Sequence, residues 1–127
     1  MRGQRVTSRR PESLKLNQWT LVGAWDRADE SALLSKANGK LAYRFHARDL
    51  HLVMGPAKPG MSIRFRVRID GQPPGAIRGV DLDESGSGTI TGPRMYQLIR
   101  QTAPISDRLF EIEFLDPGAE LFAFTFG

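Results

Sequence analysis

Hydrophobic residues in this chain recur at every second position, most clearly in its last third. From Arg108 to Phe114, the residues Phe110, Ile112 and Phe114 fall on one side while Glu111 and Glu113 fall on the other. A period of two belongs to an extended strand with one dry and one wet face. After the turn at Asp116-Pro117-Gly118 the pattern restarts, and it predicts Phe122, Phe124 and Phe126 on one face with Ala123 and Thr125 opposite. The longest alternation runs from Met61 to Asp70. It turns Ile63, Phe65, Val67 and Ile69 inward and Arg64, Arg66 and Arg68 outward.

Further short apolar runs lie at about 20–26, 32–36, 40–46, 50–54, 77–82, 88–91 and 95–100. Turn chemistry separates them, as at Asn38-Gly39, Asp70-Gly71, Ser85-Gly86 and Gly92-Pro93. Residues 28–36 are the best helical stretch, and they lack a sustained apolar stripe. Many short strands without alternating helices predict an all-β sandwich or barrel. The strand at 61–70 suits the middle of a sheet in a two-sheet antiparallel jelly roll. Residues 1–16 are polar, arginine-rich and interrupted by Pro11, and they read as a basic flexible lead-in or linker. Order is expected to begin near Trp19, with residues 17–127 forming the module.

With 127 residues the chain has room for one sandwich-sized core. No apolar run approaches the ~20 residues of a membrane span, and no apolar region follows the first arginines as a signal peptide requires. The pI near 10.0 suggests a polyanionic partner, but the charge is concentrated at one end. Residues 1–15 carry Arg2, Arg5, Arg9, Arg10 and Lys15 against Glu12, whereas residues 16–127 carry 13 basic and 13 acidic side chains. A neutral folded part argues against nucleic acid as the partner.

The absence of cysteine removes disulfides, thiolate metal sites and thiol redox chemistry from this polypeptide. His46 and His51 are the only histidines, so a zinc site would need distant carboxylates, and no metal site is expected. No Gly-x-Ser-x-Gly elbow is present. Asp81 to Gly86 begins like a calcium loop, but its twelfth position is Gly92 where such a loop needs a glutamate, so an acidic turn is expected. No nucleophile-base constellation or cofactor motif is visible, and the chain reads as a non-enzyme.

The row Arg64, Arg66 and Arg68, joined by Arg44 and His46 from the strand that turns Leu41, Tyr43 and Phe45 inward, offers planar donors suited to sugars, carboxylates or phosphates. Cross-strand pairing with Glu111 and Glu113 explains the same arginines without a ligand. Trp19, Trp25, Tyr43 and Tyr96 are the aromatic residues a sugar platform would use, with core or edge packing as the competing expectation.

Several segments together carry a family likeness: Asn17-Gln18-Trp19 with Gly23-Ala24-Trp25, the runs Tyr43 to Met54, Arg64 to Gly71 and Tyr96 to Gln101, and Phe110 to Gly118 continuing through Phe124 to Gly127. They resemble the C-terminal domain that follows the thioredoxin-like domain in DipZ-type cytochrome c biogenesis and thiol-disulfide exchange proteins of bacteria. The likeness extends from about Trp19 to Gly127. It implies a galactose-binding-like jelly roll of the carbohydrate-binding-module type, tethered to a periplasmic or otherwise extracytoplasmic redox domain.

The chain lacks the Cys-x-x-Cys of that redox domain, so the activity does not carry over. What remains is an accessory module that recognises a glycan or positions a thioredoxin-like partner. The alternative is a purely structural domain that packs against a thioredoxin-like domain or a second copy of itself. The candidate ligand-binding set is Arg44, His46, Arg64, Arg66, Tyr96 and Arg100. An exposed aromatic in a concave face would favour recognition. A flat apolar patch would favour packing.

Overall fold

A computed structural model describes residues 10–102 and 104–127, together with the backbone of residues 5 and 6. Eleven strands follow in chain order: β1 (Arg5–Val6), β2 (Gln18–Val22), β3 (Trp25–Arg27), β4 (Ala32–Leu34), β5 (Gly39–Phe45), β6 (Asp49–Pro56), β7 (Ile63–Ile69), β8 (Ser87–Ile90), β9 (Arg94–Arg100), β10 (Arg108–Phe114) and β11 (Ala119–Phe126). They form two sheets, ordered β1-β2-β5-β10-β7-β8 and β3-β4-β11-β6-β9. Every pairing is antiparallel except the short parallel contact of β1 with β2. The fold is the expected all-β, two-sheet jelly-roll sandwich.

Alternation along the strands builds the core. Ile63, Phe65, Val67 and Ile69 of β7 are buried, as are Phe110, Ile112 and Phe114 of β10, while Arg64, Arg66 and Arg68 are exposed. Leu50, Leu52 and Met54 of β6 and Tyr96 and Leu98 of β9 meet them from the second sheet. Phe65 contacts Tyr96 edge-on across the sandwich, with centroids 6.4 Å apart.

Three expectations change. The run at 20–26 is two strands in different sheets, because the chain turns the corner at Gly23. Its φ of 114° suits glycine, and a Cβ there would stand 2.9 Å from Gly39 Cα. The run at 77–82 is no strand of a sheet. It begins in a 3-10 turn at Gly75–Ile77 and then lies irregularly along β9, where Gly79 N–H donates to Leu98 O at 2.8 Å.

The third change is the phase of β11. Leu121 faces Met54 and Ala123 faces Val53, so Phe122 is an extra residue at a β-bulge. The bulge moves the alternation by one position, so Leu121 and Phe124 point inward. Phe122 is half-buried and Phe126, at the strand end, is 40% exposed.

Of the expected lead-in over 1–16, residues 1–4 and 7–9 lie outside the described ones. Packing nevertheless starts ahead of Trp19. Leu14 is buried, and its carbonyl accepts a 2.6 Å hydrogen bond from Arg44 Nε on β5. Thr20 and Ala42, on the outer side of neighbouring strands, are buried as well. This end of the first sheet's outer face is therefore covered.

Candidate functional site

The exposed part of the first sheet's outer face is a ladder of charges. Register places Glu111 opposite Arg68 and Glu113 opposite Arg66, with Lys40 of β5 across from Glu113 on the other side. These five side chains line a depression of about 120 Å³. The ion pair that closes is Lys40 Nζ to Glu111 Oε2 at 3.3 Å. Arg66, Arg68 and Glu113 make no ion pair or side-chain hydrogen bond among the described residues, although register puts them in reach. Exposed cross-strand pairs of this kind are worth only about 0.2–1 kcal/mol, so these groups can turn to a ligand at little cost.

Arg64 is already engaged. Its Nε and Nη2 donate to the two oxygens of Asp116 at 3.0 and 2.8 Å, and its backbone N–H adds a third bond at 2.9 Å. These hydrogen bonds hold the Asp116 carboxyl down at about 2. Arg64 therefore braces the turn between β10 and β11.

The other predicted residues do not gather around this face. Arg44 caps the Leu14 carbonyl, and His46 Nδ1 lies 2.6 Å from Asp107 Oδ1 just beyond β5. Tyr96 belongs to the second sheet and is 0% exposed. Its hydroxyl donates to Gly92 O at 2.6 Å and accepts from Thr91 and Gly92 N–H, so as a sugar-stacking platform it is excluded. Arg100 also lies on the second sheet and is solvent-exposed. Trp19 and Tyr43 are buried, and Trp25 donates Nε1 to Val22 O at 3.0 Å while packing edge-on against Phe114.

The acidic turn after Asp81 is similarly self-satisfied. Asp81 accepts from Arg94 Nη2 at 2.7 Å and from Gln97 N–H at 2.7 Å. Burial pushes its carboxyl up, but these hydrogen bonds outweigh burial and hold it below its usual range. The Arg94 guanidinium lies 3.8 Å over the Tyr96 ring. Asp83 closes its own turn by accepting from Ser85 Oγ and Ser87 N–H.

A second feature escaped the sequence reading. On the outer face of the second sheet, Ala123, Val53 and Met95 form one cross-strand apolar row over β11, β6 and β9. The bulged Phe122 adjoins it, Leu33 of β4 lies one row away between Asp26 and Glu120, and none of the five belongs to the central core cluster. Met95 is 42% exposed. Pro93 closes over Gly55, where a Cβ would stand 2.8 Å from Pro93 Cα. The available signal was two-sided apolarity: Leu52-Val53-Met54 and Leu121-Phe122-Ala123-Phe124 are apolar on both faces.

The sequence matches the family described as thioredoxin-like C-terminal domain over residues 2–127. The chain belongs to that family. No curated protein matches this thioredoxin-like C-terminal domain in sequence. Among solved structures, it is similar to a family two carbohydrate esterase from Clostridium thermocellum in complex with cellohexaose, with a TM-score of 0.63 and 15% identity over 84% of this chain and 31% of the esterase. A family two carbohydrate esterase from Cellvibrio japonicus gives 0.61 and 12% over 84% of this chain and 29% of that one. The domain thus spans less than a third of either esterase, and at such identity the likeness shows the fold alone. The module CsCBM6-3 from Clostridium stercorarium, in complex with cellobiose, aligns over 100% of this chain and 98% of its own at 11% identity and a TM-score of 0.49.

Proposed function

We propose that this domain is a non-catalytic accessory module that packs against a thioredoxin-like domain, in an extracytoplasmic setting, through the outer face of its second sheet. The apolar row Ala123-Val53-Met95, adjoined by Phe122, carries the reading. An outward apolar row running across β11 and β6 to the edge strand β9 gains nothing from the domain's own core, and such a patch marks a contact surface. Membership of a family described as thioredoxin-like C-terminal domain is consistent with a partner of that class. Thiol exchange belongs to that partner, since attack requires a thiolate and this chain has no cysteine.

A second reading is recognition of a glycan by the first sheet's outer face. Arg66, Arg68 and Glu113, without ion-pair partners among the described residues, favour it, because together they can donate and accept hydrogen bonds from one rigid surface. The fold shared with an esterase solved with cellohexaose is consistent with it.

One set of measurements separates the two. The 127-residue chain is titrated with the thioredoxin-like domain of the same genomic locus and with cello-oligosaccharides, as wild type, Val53→Glu and Arg66→Ala. Packing by the apolar row predicts association that Val53→Glu reduces by about tenfold or more and Arg66→Ala leaves intact. Failure of the wild type to associate overturns the proposal. Oligosaccharide binding lost in Arg66→Ala would then establish the second reading.

A further inference from the structure

The irregular segment beside β9 builds a site at the edge of the second sheet's outer face, apart from the apolar row and the charged ladder. Gly79 lies so close to β9 that a Cβ there would collide with the Gln97 carbonyl. Its N–H bonds Leu98 O at 2.8 Å, and Asp81 N–H bonds Gln97 O at 3.2 Å. This lacing fixes Arg78 and Val80 along the edge of the second sheet. Asp49, His51, Arg78, Val80, Gln97 and Arg100 line one cleft of about 60 Å³ there. On the far side of Val80 a wider, open trough of about 470 Å³ shares Arg78, Gly79 and Val80 as its wall.

Charge in the cleft is unbalanced. Asp49 is its one carboxylate, and Oδ2 is already held by Arg48 through Nε at 3.1 Å and Nη2 at 3.0 Å. Arg100 Nε makes a long ion pair with Asp49 Oδ1 at 4.0 Å, beyond hydrogen-bond distance, and the Arg100 side chain is 66% exposed, which leaves its donors free. Arg78 uses Nη1 on the Gly75 carbonyl of its own turn and meets no carboxylate among the described residues. Two guanidinium groups thus face the cleft with donors to spare. The side chains of His51 and Gln97 make no hydrogen bond among the described residues either, and Val80, 80% exposed, gives an aliphatic surface beside them.

We infer that this cleft binds the carboxylate of an acidic sugar, a uronate. Forked guanidinium donors match a planar carboxylate. Gln97 and His51 can both donate to and accept from ring hydroxyls, and the pyranose lies over Val80 into the open trough. A bare phosphate would use the charge and leave the amide, the imidazole and the aliphatic wall without a role. The site shares no residue with the charged ladder or the apolar row, although His51 and Gln97 are the next outward pair along β6 and β9 from Val53 and Met95, and the titration of the free chain reads it without a partner on that row.

The test is a ¹⁵N NMR titration of the 127-residue chain with glucuronate, glucose and inorganic phosphate. Glucuronate is expected to shift the Gly79, Gln97 and Arg100 amides saturably. Arg78→Ala and Arg100→Ala should each weaken it by about tenfold, as loss of a charge-assisted hydrogen bond does, while Arg66→Ala leaves it unchanged. Both arginines are exposed, so the variants keep the fold, and their amide spectra verify this. No saturable shift with glucuronate overturns the inference. Equal binding of glucose removes the role of charge, and equal binding of phosphate removes that of the sugar ring; either result overturns it too.

Discussion

Arg64 and Arg66 stand two residues apart on one face of β7, yet only Arg66 is available to a ligand. Period-two alternation made their direction legible, whereas their partners depended on the turn that brings Asp116 back beside β7. Tyr96 shows the same division: its residue type suits sugar stacking, and only register reveals that it points inward opposite Leu52. The Arg64 contact has a consequence for pH. Asp116 is depressed from an ordinary 3.8 to about 2 by hydrogen bonds from Arg64. A folded-state value below the unfolded one means that the stabilisation is complete above the ordinary carboxylate range. It fades as pH falls from about 4 and is lost below the folded-state value of about 2. Asp116→Asn should flatten the pH dependence of urea stability across that window, and the wild-type Asp116 carboxyl should titrate near its low end by ¹³C NMR. A midpoint near the ordinary value would contradict the bond.

At the scale of elements, most strands were legible because each has a dry and a wet face, and the failures share a physical cause. Alternation assumes unbroken pairing, and the bulge in β11, the corner at Gly23 and the lacing of 77–82 to β9 all break it. β11 offers the sharpest check. Phe124 is buried, with its ring 4.8 Å from Tyr43 and 6.1 Å from Phe110, while Phe122 at the bulge stands apart from the core cluster. Phe124→Ala should therefore cost about 3–5 kcal/mol in urea unfolding, and Phe122→Ala about 1 kcal/mol or less. Equal losses would mean that the alternation runs through the strand without a bulge.

At the scale of the whole molecule, the sandwich has two unlike outer faces, a charged ladder on the first sheet and on the second an apolar row bordered by Glu120 on one side and by Thr125, His51 and Gln97 on the other. The charged face was legible because arginine and glutamate declare their preference for water. The apolar row was not, because Val53 and Phe122 look like core residues in any single strand, and only the order β4-β11-β6-β9 shows that they point away from the core. The domain's beginning was hidden for a related reason. Leu14 is one apolar residue in a polar stretch, and nothing local foretells that it is buried or that Arg44 of β5 donates to its carbonyl. Removing residues 1–15 should therefore lower stability, and Leu14→Ala in the full chain should reproduce about 2 kcal/mol of that loss. Thermal and urea unfolding of both variants measure it. A truncated chain as stable as the full one would place the domain boundary at Asn17 and make the contact of Leu14 with Arg44 energetically neutral.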